Sequence, residues 1–464
     1  MTTRIVTDES IEQHERDARR QALARNRRVP TKRPEGQRDA RFHDVLHGDC
    51  LERLRELPSN SVDSLVTDPP AGISFMNKGW DDDKGGKDQW ILWLTGVMTE
   101  CLRVLKPGAH ALVWAIPRTS HWTAKAVEDA GFEVRDVITH HFGCGMPKSM
   151  DIAKALDKRA GQKGTPIEGT QISVPDMRGG KFVGAAGDEP RPMLTVEKTE
   201  PTTADAKKWK GFGTGLKPGS EHWILARKPP EFGTAVNVKR HGVGALDIDG
   251  SRIGEGAGAR WPANLVLSHS PDCTPEACTG DCAVAAIDRM GEYTVSRPSA
   301  GTGKVNEGQW VYGKGLGGSP ATTDDEGFCS RYFARFSQEP SFTYCPKPTA
   351  AERNHGCEEI DPQMKNDGFM DAILNPDGTH KFPRTLFHNF HPTVKSIRLM
   401  SYFVRLITPP GGVVLDPFAG SGTTLVAAKR IGRSAIGIER DDDYWKICKA
   451  RLDNGAAYQA VKGV

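Results

Sequence analysis

A chain of 464 residues has room for one large domain with an insertion, or for two domains. Its net charge of +3 is too small to imply a partner, and it lacks the ~18-residue apolar run that a membrane span requires. The charged N-terminus carries no hydrophobic signal region, so a cytoplasmic location is expected, where the 10 cysteines favour thiols or metal ligands over disulfides.

Residues 1–40 are polar and crowded with arginine, including Arg16, Arg19, Arg20, Arg25, Arg27 and Arg28. This composition predicts a disordered basic tail, with an arm that follows DNA phosphates as the alternative. Phe42–Cys50 then predicts a strand ending on Gly48-Asp49, followed by a short helix over Leu51–Leu57. After a turn at Pro58–Val62, the strand Asp63–Thr67 delivers Asp68-Pro69-Pro70. Gln89–Leu105 predicts a helix, because Trp90, Trp93, Leu94, Val97, Met98, Cys101 and Leu102 fall at helical spacing, and these side chains are expected in the core. Lys106-Pro-Gly108 breaks it. Ala109–Ala115 is an apolar strand of the kind buried in parallel sheets, Thr119–Ala130 is a helix and Phe132–His140 the next strand. Strand and helix alternate throughout, which predicts a parallel α/β sheet.

The middle of the chain is less regular. His140 and His141 are neighbours on a strand and face opposite sides, which argues against their sharing a metal. Residues 159–218 are rich in Gly, Thr, Pro and Lys and read as a long flexible loop, after which 219–260 returns to strand character. His269, Cys273, Cys278 and Cys282 place four borderline or soft ligands close together among turn formers. That set suits a structural zinc, although its spacing is looser than paired Cys-x-x-Cys knuckles, and unrelated surface thiols are the alternative. Met290–Gly327, with Trp310 and Tyr312, is glycine-rich and polar. It reads either as a region that contacts base edges in the major groove or as a disordered connector, within an insertion over 261–380.

Toward the C-terminus, His391-Pro-Thr393-Val-Lys395 precedes a helix over Ile397–Ile407. The strand Val413–Leu415 ends on Asp416, Phe418–Gly422 forms a tight turn, and Thr423–Ile431 has a helical apolar pattern. Strand, glycine loop and helix are the layout of a nucleotide-binding corner. Gly420 and Gly422 let the backbone approach a ligand. A second strand, Ser434–Glu439, ends in an acid about twenty residues beyond the loop, a common grip for ribose hydroxyls. No Lys follows the second glycine, so this is not a phosphate-cradling P-loop, and the third glycine of the dinucleotide pattern is missing.

Taken together, Asp416-Pro-Phe-Ala-Gly-Ser-Gly-Thr-Thr424, Gly48-Asp49-Cys50 and Thr67-Asp-Pro-Pro70 resemble the β class of S-adenosylmethionine-dependent DNA amino-methyltransferases, particularly phage-encoded members. The likeness covers about residues 42–452. It implies a permuted Rossmann-like α/β fold with a mostly parallel seven-stranded sheet, helices on both faces and an inserted recognition region. Residues 41–158 would form the catalytic half and 381–464 the cofactor half. The resemblance implies that S-adenosyl-L-methionine lies on Cys50, Asp416, Phe418, Gly420, Gly422, Thr423 and Thr424. Glu439 would meet its ribose, Asp49 its adenine, and His391, Thr393 and Lys395 its methionine part.

The implied reaction explains the Asp-Pro-Pro residues. An exocyclic amino group on a base is a poor nucleophile because its lone pair is delocalised into the ring. The Asp68 carboxylate and the Pro69 carbonyl can accept its hydrogens, and Pro69 and Pro70 hold the backbone rigid. The base must first leave double-stranded DNA. The family usually places an aromatic ring where this chain has Ala71, so Phe75, Trp80, His141 and Phe142 are the candidates to stack on the base. The Asp-Pro-Pro form leans toward adenine N6, with cytosine N4 as the alternative. A catalytically silent cofactor-binding DNA-binding protein and an RNA methyltransferase are the rival readings. Homodimerisation, the recognition sequence and a partner nuclease are left open.

Overall fold

Val62–Thr67 and Val413–Asp416 are buried at every position, so these two strands have both faces covered. The computed structural model describes residues 42–74, 79–143, 149–175, 193–254, 259–270, 273, 277–280, 282–289, 333–336, 353–357, 359–360, 363–364 and 386–454. The N-terminal tail, Phe75 and the whole Met290–Gly327 stretch lie outside the described residues.

The first half runs β1 (His43–His47), α1 (Cys50–Glu56), β2 (Val62–Thr67), α2 (Lys87–Val104), β3 (Leu105–Ala115), α3 (Ser120–Asp129) and β4 (Glu133–His141). After α4 (Ile152–Arg159) come β5 (Thr165–Pro175), β6 (Met193–Glu200), α5 (Ala204–Lys208), β7 (Ser220–Arg227) and α6 (Thr234–His241). Then follow β8 (Leu265–Ser268), α7 (Ala283–Asp288), β9 (Ala334–Phe336), and the small pair β10 (Gln363–Met364) and β11 (Leu386–Phe387). The chain closes with α8 (Ile397–Ile407), β12 (Val413–Asp416), α9 (Thr423–Arg430), β13 (Ser434–Glu439) and α10 (Asp442–Asn454).

The main sheet has the order β1-β13-β12-β2-β3-β7-β4-β8-β9. The expected permutation is present: β12 and β13, last in sequence, lie between β1 and β2 and pair parallel with both. Only β7 runs against its neighbours, antiparallel to β3 and to β4. The seven expected strands are extended by two, because β8 pairs parallel with β4 and β9 with β8. The start of the 261–380 insertion therefore continues the sheet rather than standing apart from it.

Side-chain alternation assigns the two layers. Leu65, Ala111, Val113, Ile224 and Leu415 point into one core with Leu54, Trp90, Leu94 and Met98 from α1 and α2. Val66, Leu112, Trp223 and Val414 point into the other, with Phe403 and Val404 of α8 and Leu425 of α9.

The flexible loop expected over 159–218 is corrected. β5 and β6 form a two-stranded antiparallel sheet, and α5 follows. Buried Asp157 on α4 anchors the return, accepting from the Thr202 and Thr203 backbone N–H groups and from the Thr203 hydroxyl. Composition misled here because a hairpin needs little apolar surface when a carboxylate holds its base. Among the described residues no helix is long and apolar enough to cross a membrane.

Phe403 is fully buried, with its ring centroid 4.7 Å from that of Trp223, and so joins α8 to the antiparallel strand. Phe403→Ala is expected to lower the unfolding free energy by about 3–5 kcal/mol in urea titrations.

Candidate active site

The glycine loop is shaped by its own hydrogen bonds. Gly420 donates its N–H to Glu439 Oε2 at 2.8 Å, which ties the loop to the end of β13. Glu439 Oε1 accepts from the Asp441 N–H at 2.8 Å. Burial pushes the Glu439 carboxyl above its ordinary pKa, against these donors. Gly420 and Gly422 adopt φ of 54° and 79°, a left-handed conformation that disfavours side chains. A Cβ at Gly420 would lie 2.8 Å from His391 Nε2, and one at Gly422 would lie 2.4 Å from Cys448 Sγ.

Asp416 sits beneath the loop with both oxygens engaged. Oδ1 accepts from the Thr67 hydroxyl at 2.8 Å and from the Phe418 N–H at 3.2 Å, and Oδ2 accepts from the Thr424 hydroxyl at 2.6 Å. Burial raises its pKa to about 6 despite those bonds. Arg451, buried on α10, donates to the Ser421 carbonyl at 2.7 Å and braces the loop from behind.

These groups border a cavity of about 560 Å³. Gly48, Asp49 and Cys50 approach it from the end of β1, and His391, Thr393 and Lys395 from the segment before α8. Phe418, Gly420, Thr423, Thr424 and Glu439 close a third side, and Asp68 and Pro70 a fourth. Asp49 also caps α1, its carboxylate accepting from the Leu51 N–H at 2.9 Å. Burial pushes the Cys50 thiol up to about 12, which leaves it protonated.

A second, smaller cavity of about 70 Å³ is bordered by Asp68, Pro69 and Pro70. Ala71, Trp80, Trp114 and Glu221 line it. The two cavities share Asp68, Pro70, Trp80, Thr393 and Lys395, so they meet at the aspartate.

The charges at that junction are close. Lys395 Nζ is 3.1 Å from Asp68 Oδ2, 3.9 Å from Glu221 Oε1 and 4.0 Å from the centre of the Trp114 ring. Lys395 therefore lies at the aspartate rather than solely along the larger cavity. Burial raises Asp68 to about 6, opposed by Lys395 and reinforced by Glu221. Burial also acts against ionised Glu221, but Lys395 and His140 outweigh it and hold this carboxyl below its ordinary value. Buried Asp81 shapes the following loop by accepting from the Gly72 N–H at 2.9 Å.

Two expected pocket residues are elsewhere. His141 and Phe142 border neither cavity. They end β4, which β7 separates from β3, and the Phe142 ring packs edge-on against His140. Trp80 does line the smaller cavity, while Phe75 lies outside the described residues. Glu221, Trp114 and Asp81 were not singled out by sequence reasoning. An acid opening the apolar run Trp223–Ala226 was the available signal for Glu221. The ligating atoms of His269, Cys273, Cys278 and Cys282 come within 4.8 Å of one another, well away in sequence and sheet order from both cavities.

The sheet order and the two cavities give an α/β fold in which the glycine loop and Glu439 border one cavity and the Asp-Pro-Pro turn borders a second. The model of the DNA methylase family matches residues 62–156 and 340–450, which hold the Asp-Pro-Pro turn and the glycine loop. The two matched segments together make up less than half of the chain and are what it shares with that family. It is 47% identical over 68 residues to the type II methyltransferase M2.LlaDCHI of Lactococcus lactis subsp. cremoris, a match covering 15% of this chain and 25% of that protein. It is 48% identical over 63 residues to the type II methyltransferase M2.DpnII of Streptococcus pneumoniae, covering 14% and 24%. The chain thus spans about a quarter of the length of these curated relatives. Among solved structures, the cytosine-N4-specific PvuII DNA methyltransferase aligns over 89% of this chain and 86% of its own, at 12% identity and a TM-score of 0.40.

With its positive φ and the close Cys448 sulfur, Gly422 has no room for a methyl group. Gly422→Ala is expected to cost at least about 1 kcal/mol of stability, read as a lower denaturant midpoint.

Proposed function

We propose that this protein transfers a methyl group from S-adenosyl-L-methionine to the exocyclic N6 of adenine in double-stranded DNA. The observation that carries the reading is the meeting of the two cavities at Asp68 and Lys395. The larger suits a nucleoside-sized ligand, being within the usual range for small-molecule sites. Its features fit an adenosyl group: glycines whose added Cβ atoms would collide, an acid at the ribose position, and Cys50, Trp93 and Phe418 as apolar lining. His391 and Thr393 line the same cavity, which supports the reading that they meet the methionine part. When bound, the cofactor supplies an electrophilic sulfonium methyl.

The chain's own residues orient the amine. Asp68 Oδ2 faces Lys395, and the remaining carboxylate lone pairs and the Pro69 carbonyl serve as acceptors for the amino hydrogens. Holding donor and acceptor groups in one geometry is where most of the rate gain arises. Lys395 already covers one face of Trp114. That favours Trp80 as the ring that stacks on the extruded base in place of the missing aromatic at Ala71, worth roughly 1–3 kcal/mol. The Met290–Gly327 stretch is the proposed reader of base edges. The reading of adenine over cytosine rests on the Asp-Pro-Pro form.

Asp68→Ala is expected to lose at least ~10²-fold in methyl transfer to duplex DNA while cofactor affinity is kept. Mass spectrometry of nucleosides from the methylated DNA should find N6-methyladenine. N4-methylcytosine would replace the base assignment, and transfer to RNA alone would replace the substrate.

The pH profile follows from Asp68. Once protonated it loses an acceptor, so turnover should fall as pH drops through about 6. Lys395→Met removes the cation that favours the carboxylate, leaving burial and Glu221 to oppose it. The acid limb of the rate profile should then move to higher pH.

A further inference from the structure

The segment after β8 folds around four ligating side chains that the proposed reaction does not use. His269 directly follows the strand. The Cys273 N–H donates to the Ser270 carbonyl at 3.1 Å, and the Cys282 N–H donates to the Thr279 carbonyl at 3.2 Å. These two turns bring Cys278 Sγ to 3.3 Å and Cys282 Sγ to 3.6 Å from His269 Nδ1. Thr279 donates its N–H to Cys273 Sγ at 3.4 Å, a backbone bond suited to a thiolate.

The spacing matches one ion at the centre. Tetrahedral zinc, with Zn–S near 2.3 Å and Zn–N near 2.0 Å, separates neighbouring ligand atoms by roughly 3.5–3.8 Å. All four ligand atoms lie within 4.8 Å of one another, and the sulfur–nitrogen distances of 3.3 and 3.6 Å agree with that geometry. A disulfide would join only two of the sulfurs and give the imidazole no role. The three cysteines are free.

The surroundings explain why a metal is needed. Behind the cluster is a separate core in which, among the described residues, Leu267, Cys282 and Val284 are buried, packed by a few partly buried neighbours such as Phe333. So small a core stabilises little by itself, and small elements of this kind are commonly held by a metal. Arg289 NH2 donates to the Gly280 carbonyl at 3.0 Å and ties α7 back to the turn. From α7 the chain runs through residues 290–332 before β9 pairs with β8.

We propose that His269, Cys273, Cys278 and Cys282 bind one structural zinc ion that clamps α7 to the β8–β9 edge of the sheet, fixing both ends of the 290–332 segment. With all four positions filled by protein, the ion has no open site and takes no part in chemistry. The proposal is independent of the methyltransferase reading, because it rests on a cluster outside both cavities.

The full-length chain, purified without chelators or immobilised-metal resin, should carry about one zinc per chain by elemental analysis. Replacing zinc with Co²⁺ should give the visible bands of a tetrahedral site with thiolate-to-cobalt charge transfer. Cys278→Ser and Cys282→Ser proteins should lose most of the zinc. Cleavage by a protease within 270–335 should rise several-fold in them, while calorimetric binding of S-adenosylmethionine is unchanged. Metal-free wild-type protein with these three thiols freely titratable, or a disulfide among them in non-reducing peptide maps, would overturn the proposal. A zinc-loaded protein without methyl transfer would overturn only the functional reading.

Discussion

Three polar side chains on the central strand β2 find partners at the far end of the chain. Asp63 accepts from the Val413 N–H at 2.8 Å, the Ser64 and Thr408 hydroxyls are 2.7 Å apart, and Thr67 donates to Asp416 at 2.8 Å. All three are buried, and Asp63 is also paired with Lys106. A buried polar group left without a partner costs about 1–3 kcal/mol, so β2 is a poor central strand until β12 docks. Docking then fixes the register, with Ser64 opposite Val414 and Leu65 opposite Leu415. A one-residue slip would turn every side chain to the wrong core. Because Asp68 follows Thr67 and the glycine loop follows Asp416, the same bonds that complete the sheet bring both motifs to one cavity. Permutation of the chain therefore leaves the site intact. The constraint lies in which strands pair, not in which is made first.

Much of this was legible in the sequence because the signals were local. Ile397–Ile407 and Ser434–Glu439 fall on their expected boundaries, since an amphipathic or apolar run bounded by polar residues needs no tertiary information to be read. The loop Phe418–Gly422 and Asp68 come together at the cavity that their resemblance implied. What was illegible is long-range. Lys395 reads as part of a segment before a helix, and nothing nearby says that it will meet Asp68 and Glu221. β8 and β9 have four and three residues, too few to show a period, and become strands by pairing in turn, β8 with β4 and β9 with β8. The β5–β6 hairpin hides in a composition typical of loops, its anchor being one carboxylate on α4. Of the rings offered in place of one at Ala71, Trp80 borders both cavities whereas His141 and Phe142 border neither, since the sequence does not reveal that β4 lies beyond β7.

The junction of the two cavities has an internal order set by burial. Two carboxylates share one lysine, and a buried ion is tolerable only when paired. Glu221 is the deeper of the two, with Lys395 on one side and His140 Nδ1 at 3.9 Å on another, while 22% of the Asp68 side chain remains exposed. The two pKa shifts run in opposite directions, Glu221 down and Asp68 up. Of the two carboxylates, Asp68 is thus the one favoured to take up a proton and Glu221 the one held charged. The consequence is a division of labour. Glu221 and the Trp114 ring keep the lysine in place, so Lys395 does not depend on Asp68 for its position. Asp68 is then free to exchange its bond to Lys395 for a bond to another donor entering from the smaller cavity, which its partial exposure permits. Were Glu221 absent, Lys395 would lose one of the two carboxylates that flank it here. The acid at the junction would then be held by the cation that now only tunes it.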